Sequence, residues 1–289
     1  MTFSIAARSA DGAWWGVAVS SKVLAVGRAV PAAEVGIGAV ATQAFCNLTF
    51  RERGLAALRA GASAPEAVQQ LIDEDEMADV RQVGIVDKDG VSASHTGQNC
   101  IPWSGHATGP GYAIQGNLLS GPQVVAAMER AWLATDESDP IARRMVATLL
   151  AGDRAGGDRR GRQSAALLVV TENGAHEGGC DIYADLRVDD HLDPVVELSR
   201  LVDIQEVSLD KTHQAGSVPV SEAALRELAM MLDRVGFQPE SADRPDVLAA
   251  LKRWADDNYL ARRLLDDAID NELLYVLRRQ SGETWRLTS

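Results

Sequence analysis

Strand-forming and helix-forming stretches alternate in blocks as far as Ile204, and this order restricts the fold more than any other feature. The run Thr2–Arg8 has apolar Phe3, Ile5 and Ala7 set between polar Thr2, Ser4 and Arg8, the period-2 pattern of a half-buried strand. Asp11-Gly12 supplies a hairpin turn into a second strand, Trp14 to Ser20. A Gly-punctuated apolar run, Gly36 to Ala44, predicts a third strand buried on both faces. Helical spacing follows over Thr49–Ala60 and Ala64–Asp75, with Ser63-Ala-Pro65 as a start signal. Strands return at Arg81–Asp87, Val91–Thr96 and Tyr112–Gly116, the last after a Gly/Pro-rich connection over Gly97–Gly109. Helices are expected at Pro122–Ala134 and Pro140–Leu150, a loop at Gly152–Arg162, strands at Ser164–Thr171 and Tyr183–Val188, and a closing helix at Pro194–Ile204. Hairpin-linked strands in blocks, with helices between the blocks, predict antiparallel sheets covered by helices and not βαβ units. The expected class is α+β, as a four-layer αββα sandwich.

From Glu206 the pattern changes. Lys211–Val220 reads as a polar linker, and strand signals cease. Apolar stripes at Leu225, Leu228, Leu232 and Val235, then Leu248, Leu251 and Trp254, then Leu265, Ile269, Leu273 and Leu277 predict three helices. The expected organisation is a domain over 1–205 and a small all-helical domain over 206–289.

The 289 residues carry a formal charge of −13, which argues against nucleic acid and anionic membrane as partners. Cys46, Cys100 and Cys180 are too scattered for a disulfide framework or a metal knuckle, and His95, His106, His176, His191 and His213 show no metal-ligand spacing. No metal or cofactor is therefore expected. With no basic, apolar leader and no run approaching ~18 apolar residues, the chain reads as cytoplasmic.

Candidate chemistry begins at the first strand. Met1 precedes a small residue, and such an initiator is commonly trimmed. Trimming would put a hydroxyl and a free α-amine, with a reference pKa of roughly 7.7–8.0, on Thr2. Read from this stretch alone, an ordinary second-residue threonine is the favoured reading. Lys22, at the end of the second strand, is expected near Thr2 if the hairpin is in register, either stabilising developing negative charge or simply solvated. Gln115-Gly116-Asn117 and Arg162-Gln163-Ser164 each place polar groups beside glycine at a strand edge, suited to an oxyanion or a substrate carboxylate, or to turn hydrogen bonds. His191, after Asp189-Asp190, is either an imidazole that the two carboxylates order or join in binding a cation, or a cap for the helix at Pro194. Cys46 has no neighbour that would lower its pKa and reads as a small buried residue.

The motifs TFSIAAR at Thr2–Arg8, GVAVSSK at Gly16–Lys22, VATQ at Val40–Gln43, RQVGIVD at Arg81–Asp87, YAIQGN at Tyr112–Asn117, GRQS at Gly161–Ser164 and LRVDDH at Leu186–His191 resemble those of the domain of unknown function 1028 family. That family is placed in the N-terminal nucleophile (Ntn) hydrolase superfamily. The resemblance implies amide hydrolysis with Thr2 as nucleophile after loss of Met1. Lys22, Asn117 and Ser164 would assist, and Ser21, Gln43, Gln115, Arg162, Gln163 and His191 would line the substrate site. The implied partner is a small-molecule amide, and a homo-oligomer is expected. The lysine that proteasome-like members carry at the start of the third strand has no counterpart around Val30–Gly36. The C-terminal stretch is similar to a helical extension described as peptidoglycan-binding in some members; without an export signal it reads as an interaction or oligomerisation appendage.

Overall fold

The computed structural model describes residues 2–175, 178–209 and 216–282. The chain divides into two compact units, Met1–Val202 and Asp203–Ser289. In chain order the first unit runs β1 (Thr2–Arg8), β2 (Trp14–Ser21), β3 (Pro31–Glu34), β4 (Gly38–Ala44), α1 (Thr49–Arg59), α2 (Ala64–Asp73), β5 (Arg81–Asp87) and β6 (Ser92–Thr96). It continues with β7 (Gly105–Gly109), β8 (Tyr112–Asn117), α3 (Gln123–Ala134), α4 (Ile141–Arg154), β9 (Ser164–Thr171) and β10 (Ile182–Val188), and ends in α5 (Pro194–Leu209), within which the division between the units falls.

Six strands form one antiparallel sheet in the order β10-β9-β2-β1-β8-β7, and four form a second in the order β3-β4-β5-β6. The alternation read in β1 sorts its side chains onto two different cores. Phe3, Ile5 and Ala7 pack with Met128 and Trp132 of α3, Met145 and Leu149 of α4, and Leu198 of α5. Ala6 belongs instead to a core shared with the second sheet, in which Val17 and Val19 of β2 meet Ala39 and Ala41 of β4 and Val86 of β5. The opposite faces of β4 and β5, carrying Val40, Val83 and Ile85, pack against Phe50, Leu55 and Leu58 of α1 and Leu71 of α2. The mixed α+β class with antiparallel sheets read from the sequence is the class observed.

Several boundaries differ from expectation. The third predicted stretch starts at Gly38, and a short strand, β3, precedes it. The Gly/Pro-rich connection contains β7, which pairs with β8 by backbone bonds that its Gly105-His-Ala-Thr-Gly109 sequence does not advertise. Gly152 lies inside α4 and not in a loop. A Cβ there would stand 2.7 Å from Met128 Cγ, so the glycine that mimics a helix end instead permits close packing of α4 on α3.

The second unit has its own core of Leu228, Met231, Leu232, Leu251, Trp254, Ile269, Leu273 and Leu277. It is not all helical. A two-stranded pair, β11 (Ser217–Pro219) with β12 (Ala268–Asp270), accompanies α6 (Glu222–Arg234), α7 (Arg244–Asp257) and α8 (Asn271–Gln280). The third apolar stripe is therefore divided, since Ile269 lies on β12 and only Leu273 and Leu277 lie on a helix. Burial set that spacing, not helical period. Arg263 and Asp270, both fully buried, pair at 3.0 Å. His176, His213 and positions 211–215 of the expected linker lie outside the described residues.

Among the described residues no helix is long and apolar enough to cross a membrane. One ion pair ties the start of β5 to the loop before it: Arg81 Nε donates to Asp75 Oδ2 at 3.0 Å, and Asn47 Nδ2 donates to the same oxygen at 2.8 Å. Desolvation pushes the Asp75 carboxyl up, but the hydrogen bonds from Asn47, Arg81 and the Met77 N–H outweigh it and hold the group below its ordinary value. Because the folded pKa is depressed, the stabilisation is complete above the unfolded carboxylate pKa of ~3.9 and is lost as pH falls through the lower folded value. Asp75→Asn should cost roughly 3 kcal/mol at pH 7, because it strands a buried guanidinium. Urea unfolding from pH 7 down to pH 3 should show this gap narrowing as the wild type loses its own contribution.

Candidate active site

Thr2, Ser4 and Ala6 lie on the face of β1 that looks towards the second sheet, and the polar pair stands at one end of that face. In register, Thr2 lies opposite Ser21 on β2 and Asn117 on β8, so the first described residue is held by neighbours on both sides. Its hydroxyl lies 3.1 Å from Ser21 Oγ. Its carbonyl accepts from Gln43 Nε2 at 3.3 Å, across from the second sheet, and from Asn117 Nδ2 at 3.5 Å.

These amides converge on Gln82 of β5. Gln82 Oε1 accepts from Gln43 Nε2 at 2.8 Å and from Asn117 Nδ2 at 2.9 Å. Its Nε2 faces three acceptors, Thr96 Oγ1 at 2.9 Å, the Gly116 carbonyl at 2.9 Å and the Gly105 carbonyl at 3.2 Å, so two protons are shared among three oxygens. One pair deeper, Ser4 Oγ donates to Gln43 Oε1 at 2.7 Å and accepts from Gln115 Nε2 at 2.6 Å, while Gln115 Oε1 accepts from Ser94 Oγ at 3.2 Å. Ser4, Gln43, Gln82 and Gln115 are all at most 1% exposed. A buried carboxamide is tolerated only when its donors and acceptors are met, and here each one orients the next.

Residues 2–198 match the model of a family described as a family of unknown function (DUF1028). The chain belongs to the DUF1028 family. It is similar to protein SPO2555 from Silicibacter pomeroyi, whose crystal structure is described as DUF1028: 29% sequence identity, TM-score 0.64, and coverage of 71% of this chain and 89% of that one. No curated protein matches the chain. The DUF1028 match falls wholly within the first unit, which also holds the Thr2 network.

The other residues singled out in this DUF1028 sequence fall into a second group, at the same end of the sheet but with different partners. Lys22 follows Ser21; its backbone N–H donates to Asp158 Oδ2 at 2.9 Å and its ammonium to the Arg162 carbonyl at 3.0 Å. The ammonium thus anchors the loop before β9, and among the described residues the side chains hydrogen-bonded to Thr2 are the uncharged Ser21, Gln43 and Asn117. Ser164 Oγ donates to the Val23 carbonyl at 2.6 Å and accepts from the Val26 N–H at 3.1 Å, which commits its proton to the loop after β2. Arg162 bridges Asp153 and Asp193, at 2.8 and 2.9 Å. The Gln163 carbonyl accepts the His191 N–H, and His191 Nδ1 accepts from the Asp193 N–H at 3.0 Å, so the imidazole orders the turn into α5. Burial pushes the Cys46 thiol up and keeps it protonated. Among the described residues no three His, Cys, Asp or Glu side chains converge as a metal-binding group.

Gln82 and Thr96 were not singled out, although the signal for Gln82 is present. In Arg81–Asp87, Gln82 and Gly84 share a face with Val86, so a long amide and a residue without a side chain alternate on a buried surface. A Cβ at Gly84 would lie 2.0 Å from Gln115 Oε1. Because Gln115 is held at both ends of its carboxamide, Gly84→Ala should displace it and leave buried polar groups unmet, costing roughly 3 kcal/mol in urea unfolding. Adding Gln115→Ala should recover part of that loss; a double variant less stable than Gly84→Ala would contradict this packing.

Proposed function

We propose that this protein is an N-terminal nucleophile amidohydrolase in which Thr2, freed of Met1, attacks the carbonyl carbon of a small amide. The observation that carries the reading is the setting of Thr2. It is 6% exposed at the end of a central strand, with its hydroxyl on Ser21 and its carbonyl clamped by amides from both sheets. Such clamping fixes the rotation of the residue, and fixed orientation is what converts a weak hydroxyl into a useful nucleophile. The two-sheet core with helices packed on the outer faces supports assigning the αββα arrangement of that superfamily.

In this mechanism the Thr2 α-amine takes the hydroxyl proton as Oγ attacks, then returns it to the leaving nitrogen; water hydrolyses the resulting ester. Ser21, 3.1 Å from Oγ, holds the Thr2 hydroxyl by a hydrogen bond. Developing charge on the substrate oxygen is met by backbone N–H groups at the strand end, assisted by the Asn117 amide. Lys22 and Ser164 serve by holding the flanking loops in place.

The test has two arms. The intact mass of untagged protein should show Met1 removed, and Thr2→Ala should lower hydrolysis of a responsive small amide by at least roughly 10³-fold while the variant still folds. Because the base is an amine, kcat/KM should rise with pH and level off above ~8. Retained Met1, with a ligand bound but not turned over, would favour a non-catalytic binding protein on the same fold. For the second unit we infer an interaction or oligomerisation role, supported by the exposure of Met230 and Tyr259 beside an independent core. Retention of the full chain on peptidoglycan would instead assign it to the cell wall.

A further inference from the structure

The network that clamps Thr2 does not end inside the protein. From Gln82 it runs outward through Thr96 to His106, an exposed residue on the edge strand β7, whose Nδ1 lies 2.8 Å from Thr96 Oγ1. Each bond along the way has a fixed direction. The Thr2 carbonyl can only accept, so Gln43 and Asn117 turn their nitrogens to it and to Gln82 Oε1. That leaves Gln82 Nε2 to donate outward, and Thr96 Oγ1 receives it at 2.9 Å. A hydroxyl that accepts this bond gives its own proton to the next group, so His106 Nδ1 is an acceptor. The imidazole is then neutral, with its proton on Nε2.

On β7, Ala107 packs with the helix layer, so the alternate residue His106 faces β6. β6 carries His95, whose ring lies on the other face of that strand, 2.9 Å from the Ala78 carbonyl. β8 places Gln115 opposite His106; its Tyr112 lies on the helix side and donates to Glu129 of α3. α3, which carries Glu129 and Arg130, packs on that same side of the sheet. Partial burial of the ring, and then the charge of His95, hold the His106 imidazole below its ordinary value of ~6.5. It is therefore neutral at pH 7 and gains its proton on the acid side of that value.

Protonation adds an N–H at Nδ1 that points at a hydroxyl whose own proton points back. The hydroxyl has to turn, its proton loses its acceptor, and two N–H donors, one of them charged, compete for Thr96 Oγ1. Gln82 has another place to go, because its Nε2 already faces the Gly116 and Gly105 carbonyls at 2.9 and 3.2 Å. A carboxamide that re-aims its nitrogen also turns its oxygen, which is the acceptor for Gln43 and Asn117. We propose that His106 is a pH-responsive positioning residue for Thr2. Neutral, it completes the chain that orients Gln82; protonated, it releases Gln82 from Thr96 and loosens the hold of Gln43 and Asn117 on the Thr2 carbonyl. The consequence for turnover rests on the hydrolytic reading of Thr2, whereas the relay of hydrogen bonds does not.

The test uses the full chain labelled with ¹⁵N-asparagine, in which Asn117→Ser identifies the Asn117 carboxamide signals. Between pH 7 and pH 5 those signals should move with a midpoint below ~6.5. His106→Asn, which keeps an acceptor in the place of Nδ1 and has no proton to gain, should hold them still. Thr96→Val, which cuts the link, should hold them still as well. Signals that do not move in the wild type, or that move equally in either variant, overturn the relay. Turnover is read separately. Relative to its own value at pH 8, kcat/KM at pH 5 should fall roughly tenfold further in the wild type than in His106→Asn. Parallel profiles overturn the role of His106 at Thr2. Asn117 signals that follow His106 in a protein without hydrolysis support the relay and remove the hydrolytic reading instead. Should His106→Asn not fold, Thr96→Val carries both comparisons.

Discussion

The carboxamide of Gln82 is the interaction on which the first unit most depends. It is fully buried, it sits between two sheets, and its oxygen and nitrogen together meet five partners from β4, β6, β7 and β8. A hydrophobic side chain there would still hold the sheets together, because burial of apolar area is indifferent to direction. It could not tell Gln43 and Asn117 which way to point. Both donate to Gln82 and to the Thr2 carbonyl, so the orientation of the candidate nucleophile is inherited from a residue that does not touch its hydroxyl. In a low-dielectric interior such a network is rigid when complete and costly when one member is lost.

The same face is graded along the strands. On β1 the side chains towards the second sheet run Thr2, Ser4, Ala6, Arg8; on β8 they run Asn117, Gln115, Ala113; on β4, Gln43, Ala41, Ala39; on β5, Gln82, Gly84, Val86. Polar groups gather at one end, and small apolar ones fill the middle. Alanine and glycine let the sheets approach closely there, and that approach brings Gln43 and Gln82 within hydrogen-bonding distance of β1 and β8. Packing in the middle thus sets the distances at the end, and the geometry around Thr2 is a property of the whole interface.

Much of this was legible from the chain. Period-2 alternation located β1, whose side chains differ in kind between its two faces; the Asp11-Gly12 turn located β2, and a continuous apolar run located β9. Thr2, Gln43, Gln115 and Asn117 were all marked, and they meet. Gln82 escaped because a polar residue at a strand position reads as solvent-facing, and only its companion Gly84 hints at a buried amide. Lys22 and Ser164 were read as neighbours of the chemistry, and their bonds run to the 158–162 and 23–26 loops, since contact across a strand end depends on loop paths that no local pattern encodes. β3, β7, β11 and β12 were missed for a related reason: they are short, and backbone pairing rather than side-chain pattern defines them.

The two ends of β1 differ in what they leave unmet. At Thr2 the hydrogen-bond partners are all neutral, so in the proposed mechanism activation falls to the residue's own amine. At the other end, Arg8 is half-buried with Nη1 on the Ser9 carbonyl, and its Nε and the Trp15 indole N–H are buried without an acceptor. A strand of seven residues separates the ends by about 20 Å, at ~3.3 Å per residue, so distance weakens the Arg8 charge at the Thr2 network while the apolar middle, with its low dielectric, screens it little. What the two ends share mechanically is the interface between the sheets, so a change of packing at Arg8 and Trp15 would reach Thr2 through the spacing of the sheets.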